Sequence, residues 1–299
     1  MTDVALVTCA ALPGLYHDDR LLLTALRDLG VSVEPVVWED RLYPWRSVGM
    51  CVLRSVWDYA FRREAFLAWV ARVARMTRVW NGAGLVRWNT HKGYLKDLEA
   101  HALPIVPTVL LKRGSGSVLA DVLGSRGWDT AVLKAAVAQT GRYAMLVLPG
   151  SRDQGQAHLD RILPHEDMLV QPYLESIAEG ELSIMLVDGA ITHAVEKRAP
   201  PGDFRVHTDF GGAERLREPT PAEREVALAS LASLPERTLY ARVDLVRGPA
   251  GRPLIMELEV VEPDLFFRHA PVAASRLAES IVRELGGSRV DRGFRCSVP

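Results

Sequence analysis

The sequence predicts an α/β and α+β fold: an N-terminal α/β domain over residues 1–88, a central α+β lobe over 89–172 and a C-terminal α+β lobe over 173–299. Three observations carry this expectation. Up to residue 88, short apolar runs alternate with amphipathic stretches at helical spacing, the pattern of a small parallel or mixed sheet covered by helices. Beyond Asn89, strand-like runs follow one another with short helical segments between them. Near the C-terminus, R-x-D and E-x-E fall on two adjoining strand-like segments, and residues two apart in a strand share a face.

Val4–Thr8 reads as a buried strand, and Asp18–Leu29 as a helix with Leu21, Leu22, Ala25, Leu26 and Leu29 on one face, stopped by Gly30. Val33–Trp38 and Met50–Leu53 are strands, and Arg62–Arg75 is a helix carrying Phe66, Leu67, Val70 and Val73. Ligands on such sheets sit beyond the carboxyl ends of the strands, where Thr8–Tyr16 and Arg54–Tyr59 fall. Asn89 is placed to cap a helix through Lys92, Tyr94, Leu95 and Leu98 that ends before Pro104. Ile105–Leu111, Thr130–Ala135, Tyr143–Leu148 and Met168–Gln171 follow as strands, with a short helix at Ser117–Gly124. Leu182–Val187 and Ile191–Val195 flank Asp188-Gly189, a strong hairpin signal. A polar, glycine-bearing loop runs from Arg198 to Glu214. Pro221–Leu234 is helical, Tyr240–Val246 and Leu254–Leu258 pair as strands, and Pro271–Leu285 closes the series as a helix.

Composition excludes several functions. The 299 residues carry 36 Lys plus Arg against 37 Asp plus Glu, a formal charge of −1, so the basic excess of a non-specific nucleic-acid or anionic-membrane binder is missing. The longest stretch without a charged residue runs only from Val4 to His17 and contains Pro13 and Gly14, too short to span a bilayer. Asp3 and the lack of a basic leader argue against a secretory signal. Cys9, Cys51 and Cys296 form no C-x-x-C pair, which disfavours a zinc cage or a disulfide framework. A cytoplasmic globular enzyme or ligand-binding module is expected, with neither nucleic acid nor membrane as partner.

The charged positions narrow this further. Arg242 and Asp244 share one strand face, and Glu257 and Glu259 another. If the two strands pair, one arginine and three carboxylates converge, with Val243, Leu245, Ile255, Met256 and Leu258 buried on the opposite side. Hard oxygen ligands in that number suit Mg²⁺, and Arg242 suits a transferring phosphate; the alternative is a solvated sheet face with ordinary ion pairs. Lys134 ends an apolar strand and precedes the small-residue loop Ala135–Gly141, able to hold phosphate oxygens or simply exposed. Lys92 has the same two readings. Gln171-Pro172-Tyr173-Leu174 can offer backbone groups to an adenine edge or serve as a hinge, and Glu175, Glu179 or Glu181 can reach a ribose hydroxyl.

Taken in order, these features resemble the ATP-grasp superfamily, nearest its glutathione-synthetase and D-alanine–D-alanine-ligase branch. The resemblance covers about Val4 to Leu285. It implies an ATP-grasp fold: a pre-ATP-grasp α/β domain and two α+β lobes that clamp ATP. It also implies that Lys92 and Lys134 contact phosphates, Gln171 through Leu174 the adenine, and Glu179 or Glu181 the ribose. Lys197, Arg205 and Arg242 would contact phosphate or a developing acyl phosphate, the two arginines as catalytic groups. Asp244, Glu257 and Glu259 would hold Mg²⁺, with two ions expected. Two departures stand out: Glu259 replaces the Asn of the usual E-x-N motif, and the loop after Lys134 has a single glycine, Gly141.

The implied activity is ATP-driven activation of a carboxylate, followed by attack of a nitrogen. The segments LRSVWDY, RWNTHKGYL and MELEVVEPDLFF narrow the resemblance to a cyclo-ligase acting on one small amino-acid-like substrate; the alternative is an intermolecular carboxylate–amine ligase making a dipeptide-like amide. Arg54 could pair a substrate carboxylate, or be a surface arginine. Asp58 could meet an amino or ureido group, with Ser55 beside it. Glu262–Phe267 and Phe204–Gly212, the latter including His207, Gly211 and Gly212, are candidate cavity walls. Oligomeric state is left open, a homodimer included.

Overall fold

A computed structural model of the chain describes residues 2–139, 141–200, 202–203, 205–206 and 211–293, with side chains to residue 286. The first sheet is built from β1 (Val4–Thr8), β2 (Val33–Val37), β3 (Met50–Leu53) and β4 (Arg78–Trp80), all parallel in the order β2-β1-β3-β4. Every residue of β1 and β3 is buried, as expected for parallel strands covered on both faces. Helix α1 (Asp19–Asp28) turns Leu22 and Leu26 onto one face, and α2 (Arg63–Val73) turns Phe66 and Val70 onto the other. β4 escaped the sequence reading because it is three residues long and buries only Val79.

The second sheet follows two short helices, α3 (Ala83–Asn89) and α4 (Tyr94–Ala100). Its strands are β5 (Val109–Leu111), β6 (Ala131–Ala135), β7 (Met145–Val147) and β8 (Met168–Pro172), antiparallel in the order β5-β8-β6-β7. Helices α5 (Leu119–Arg126) and α6 (Arg152–Ile162) pack on it through Leu119, Leu123, Leu159 and Ile162. Helix α6 was not anticipated, since RDQGQAHLDRI buries only Gly155, Leu159 and Ile162. The strand expected over 105–111 is shorter because Pro107 interrupts it; Ile105 instead forms a single parallel bridge to Ile255.

The third sheet is antiparallel, in the order β11-β10-β9-β12-β13, from β9 (Glu181–Val187), β10 (Ala190–Arg198), β11 (Ala213–Leu216), β12 (Tyr240–Arg247) and β13 (Pro253–Glu259). The β9–β10 hairpin turns at Asp188 and Gly189, both left-handed (φ 51° and 79°), as a two-residue I′-type loop requires. β11 begins at the end of the stretch expected to be loop, overlapping it at Ala213 and Glu214, and was not expected as a strand: AERL is mostly exposed and has no apolar alternation. Helix α7 (Pro221–Ala232) starts on a reciprocal cap, with Glu223 N donating to Thr220 Oγ1 (3.3 Å) and Thr220 N to Glu223 Oε2 (2.7 Å). The C-terminal helix α8 (Pro271–Gly293) returns to pack on α1 and covers the first sheet with Ala274, Leu277 and Ile281.

β13 is an edge strand, and outward backbone groups of Ile255 and Leu258, with Val260 just beyond it, are taken up by the stretch from Asn89 to Val106. Asn89 Nδ2 donates to Leu258 O (2.7 Å), Asn89 Oδ1 accepts from Val260 N (2.8 Å) and Tyr94 OH accepts from Leu258 N (3.0 Å). Ile255 N donates to Pro104 O (2.7 Å), and Val106 N to Ile255 O (2.9 Å). Asn89 is therefore not the N-cap expected of it. It is the last residue of α3, and its amide replaces the missing neighbour strand. Asn89→Ala would strand two buried backbone groups, so urea unfolding should show a loss of roughly 2–4 kcal/mol; an unchanged midpoint would contradict this role.

Candidate active site

The strand pair β12–β13 sets the centre of the site. Arg242 faces Glu259 and Asp244 faces Glu257, but the next pair is Leu245 with Ile255, so Met256 is an extra residue in a bulge. The bulge has a consequence that simple alternation hides. Met256, expected on the buried face, lines the cleft instead, and its Sδ lies 3.1 Å from Lys134 Nζ. Asp244, Glu257 and Glu259 bring carboxylate oxygens within 4.8 Å of one another.

Cations from several elements balance these acids. Arg242 grips Asp244 through Nε (3.0 Å to Oδ1) and Nη2 (2.9 Å to Oδ2) and also reaches Glu259. Ser183 donates to Asp244 from β9. Lys197, on β10, lies 2.6 Å from Glu181 and 3.6 Å from Asp244. Lys92, between α3 and α4, pairs with Glu257. Burial opposes the charge on Lys92, Lys197 and Arg242, yet their carboxylate partners prevail and all three are held protonated more firmly than in water. Burial alone would raise Asp244, but Arg242 and Lys197 hold it far below the usual carboxylate range. Burial pushes Glu259 up to about 8; Arg242 counters, while Glu257 and Asp244 repel it further. Lys134 is lowered by burial and by the charge of Lys92.

The cavity above this face is roofed by the second sheet. Lys134, Gln171, Pro172, Tyr173, Leu174, Glu181, Lys197, Arg205 and Arg242 all line it, together with the three clustered carboxylates and Lys92. Gln171 Nε2 donates to Thr108 Oγ1 (2.9 Å), while its Oε1 is buried without a partner. Arg205 is held by Asp203 (2.7 Å). Of the three ribose candidates only Glu181 lines the cavity; Glu175 is exposed, and Glu179 is more than half exposed and pairs with Arg247 (2.7 Å).

The expected substrate-facing residues of the first domain are placed otherwise. Arg54 is 1% exposed, donating to Asp19 Oδ1 (2.8 Å) and Pro263 O (2.7 Å) with its guanidinium 4.9 Å over the Tyr240 ring. Ser55 donates to Asp19 Oδ2 (2.7 Å) and accepts from Tyr16 N (2.9 Å). Asp58 accepts from Trp38 Nε1 (3.0 Å) and pairs with Arg62. None of the three lines the cavity, because a segment some two hundred residues downstream covers the end of β3. Gly211 and Gly212 also lie off it, and His207 and Phe204 fall outside the described residues. In their place the cavity takes Tyr59, Gln139, Arg142 and Glu262. Burial pushes Glu262 up to about 7, against hydrogen bonds from Tyr59 and Gln139. The sequence had singled out the segments containing Tyr59, Gln139 and Glu262, but their meeting is a tertiary fact.

Residues 128–265 match the RimK-like ATP-grasp domain, the class that two sheets facing a charged cleft define, and residues 4–81 match the N-terminal domain of D-cycloserine synthetase DcsG. The chain is 35% identical over 303 residues to the cycloserine biosynthesis protein DcsG of Streptomyces lavendulae, covering 95% of this chain and 99% of that one. It therefore belongs to the DcsG family of ATP-grasp ligases. The crystal structure of D-cycloserine synthetase DcsG superimposes with a TM-score of 0.87 at 32% identity, covering 94% of this chain and 99% of that one. D-alanine–D-alanine ligase from Bacillus anthracis, complexed with ATP, shares the fold at a TM-score of 0.69 and 14% identity, over 98% and 100% of the two chains.

Arg54 holds Asp19 in place rather than a ligand, and its removal separates the two roles. Arg54→Met leaves Asp19 buried without its cation and should cost roughly 3–5 kcal/mol by urea unfolding. The KM values of the enzyme that remains folded should not move; a rise in substrate KM at unchanged stability would restore Arg54 to the binding site.

Proposed function

We propose that this ligase closes D-cycloserine from O-ureido-D-serine at the expense of ATP, in the cytoplasm. The observation that carries the reading is the likeness to the cycloserine protein along nearly the whole of both chains, N-terminal domain included. In the reaction, the substrate carboxylate oxygen takes the γ-phosphoryl group and ADP leaves. The aminooxy nitrogen then attacks the acyl carbon and expels phosphate, and the carbamoyl group carried by that nitrogen is cleaved with one water to CO₂ and ammonia, leaving the N–H in the ring.

The chain's share is positioning and charge neutralisation. Lys92 and Lys134 meet the phosphates from one side of the cleft, Lys197 and Arg242 from the other. Their pairing with carboxylates keeps most of them charged and in place before ATP arrives. Gln171 Oε1, buried without a partner, accepts an amine hydrogen of adenine, and the 172–174 backbone follows the ring edge. Glu181 is the carboxylate placed for the ribose hydroxyls. Arg205 and Arg242 steady the oxygens of the acyl phosphate. Asp244, Glu257 and Glu259 offer only hard oxygen donors in one cluster, a set suited to Mg²⁺, with two ions expected. When bound, the metal withdraws charge from the phosphate oxygens. Met256, Val132, Ile177 and Leu258 keep water from the reacting centre.

ADP release with O-ureido-D-serine as the only carboxylate substrate tests the reading directly. Turnover with that compound alone is expected; turnover only with pairs of amino acids would make the chain an intermolecular ligase. Glu257→Gln should reduce turnover by a factor of at least about 10² while thermal unfolding shifts little, because the amide still accepts from Lys92. Retained activity would remove Glu257 from the metal set.

A further inference from the structure

One carboxylate in the cleft is out of balance. Glu181, Asp244, Glu257 and Glu259 each have a lysine or arginine within ion-pair distance. Glu262 lines the same cavity and is 5% exposed, yet no cation pairs with it among the described residues. The cation closest in influence, Lys92, is already engaged by Glu257. Glu262 accepts a hydrogen bond from a neutral donor instead, Gln139 Nε2 from the loop between β6 and β7, and Tyr59, from the turn after β3, lines the cavity beside it as a second neutral group that favours its charged form. Its backbone is anchored as well, since Trp57 Nε1 donates to Glu262 O (3.1 Å).

A carboxylate has about four lone-pair directions, so these neighbours leave room for more. An anion buried without a counter-charge is costly, and the cost is relieved when a cation arrives. A metal ion fits poorly there. Gln139 already donates to one of the oxygens, and Glu262 is not part of the clustered carboxylates. An organic ammonium group brings N–H donors and a positive charge together, and the cavity is open to one.

We propose that Glu262 is the specificity-determining residue that receives the α-ammonium group of the amino-acid-like substrate, with Tyr59 and Gln139 as the residues that position it. The assignment rests on the carboxylate-activating reading given above. It accounts for the first domain's part in the site: Tyr59 reaches the substrate pocket through Glu262, where Arg54 and Asp58 do not.

The test compares wild type with Glu262→Gln on O-ureido-D-serine and on its des-amino analogue, 3-(ureidooxy)propanoate, by ADP release. Wild type should prefer the amino compound in kcat/KM by about 30-fold or more, the usual consequence of leaving a buried charge unpaired. In the variant that preference should collapse to a few-fold, through a raised substrate KM with the KM for ATP unchanged. A preference that survives intact in Glu262→Gln overturns the proposal. Should that variant fail to fold, Tyr59→Phe keeps the carboxylate and removes the neighbouring hydroxyl; it must still narrow the preference, and an unaltered ratio overturns the proposal equally. Wild-type turnover on O-ureido-D-serine tests the functional reading separately. If it is absent, the same variants are compared on whichever amino acid the wild type activates and on its des-amino counterpart.

Discussion

Neutralising charge inside the cleft is the constraint on which the architecture depends. Asp244 is 2% exposed, and an unpaired carboxylate so placed would cost several kcal/mol. It persists because Arg242 meets it with two parallel N–H contacts, Lys197 stands 3.6 Å away and Ser183 donates to it. Each cation in turn answers to a further acid: Arg242 to Glu259, Lys197 to Glu181, and Lys92 to Glu257. The network draws on β9, β10, β12, β13 and the connection between α3 and α4. It thereby ties the connection between α3 and α4 to the third sheet. On the proposed reading, a site assembled this way would present cations in fixed positions to a triphosphate, with little reorganisation left for the reaction itself.

Backbone hydrogen bonding reinforces the same geometry. The strand that carries Glu257 and Glu259 is an edge strand, and Asn89, Tyr94, Pro104 and Val106 take up its outward groups. Asn81 does comparable work beside it, donating to Tyr240 O (2.9 Å) and Val260 O (2.6 Å) and accepting from Leu239 N (2.8 Å). Tyr240 ties the third sheet to the first by donating to Leu53 O (2.7 Å). The loop after β6 is fastened across the cavity by Gln139 to Glu262, and Arg142 reaches Ala60 O (3.1 Å) and Glu166 (2.7 Å). The cleft is thus walled by all three sheets' neighbourhoods, although the paired charges belong chiefly to the third.

What could be read from the sequence was whatever local chemistry decides. Asp188-Gly189 announced its hairpin because few other residues accept two successive left-handed conformations. The buried runs of β1, β3, β6 and β8 were legible as uninterrupted apolar stretches, and R-x-D with E-x-E foretold a shared acidic face. Features settled by distant partners stayed hidden. Arg54 looked available to a ligand because nothing nearby in sequence reveals Asp19 on one side and Pro263 on the other. Met256 was assigned to the wrong face because alternation assumes an unbroken register, and the bulge lies in the pairing of two strands. Polar helix α6 and exposed strand β11 carry too few buried residues to impose a period.

The central claim, that the third sheet's acids and the two lobes' lysines together hold a nucleotide, is tested most directly by a crystal structure with a non-hydrolysable ATP analogue and Mg²⁺. The result expected is a metal within about 2.0–2.2 Å of oxygens from Glu257 and at least one of Asp244 and Glu259, phosphates between Lys92 and Lys134, and adenine along residues 171–174. A nucleotide bound outside the cleft, or a metal held by other residues while these three keep their lysine and arginine partners, would contradict it.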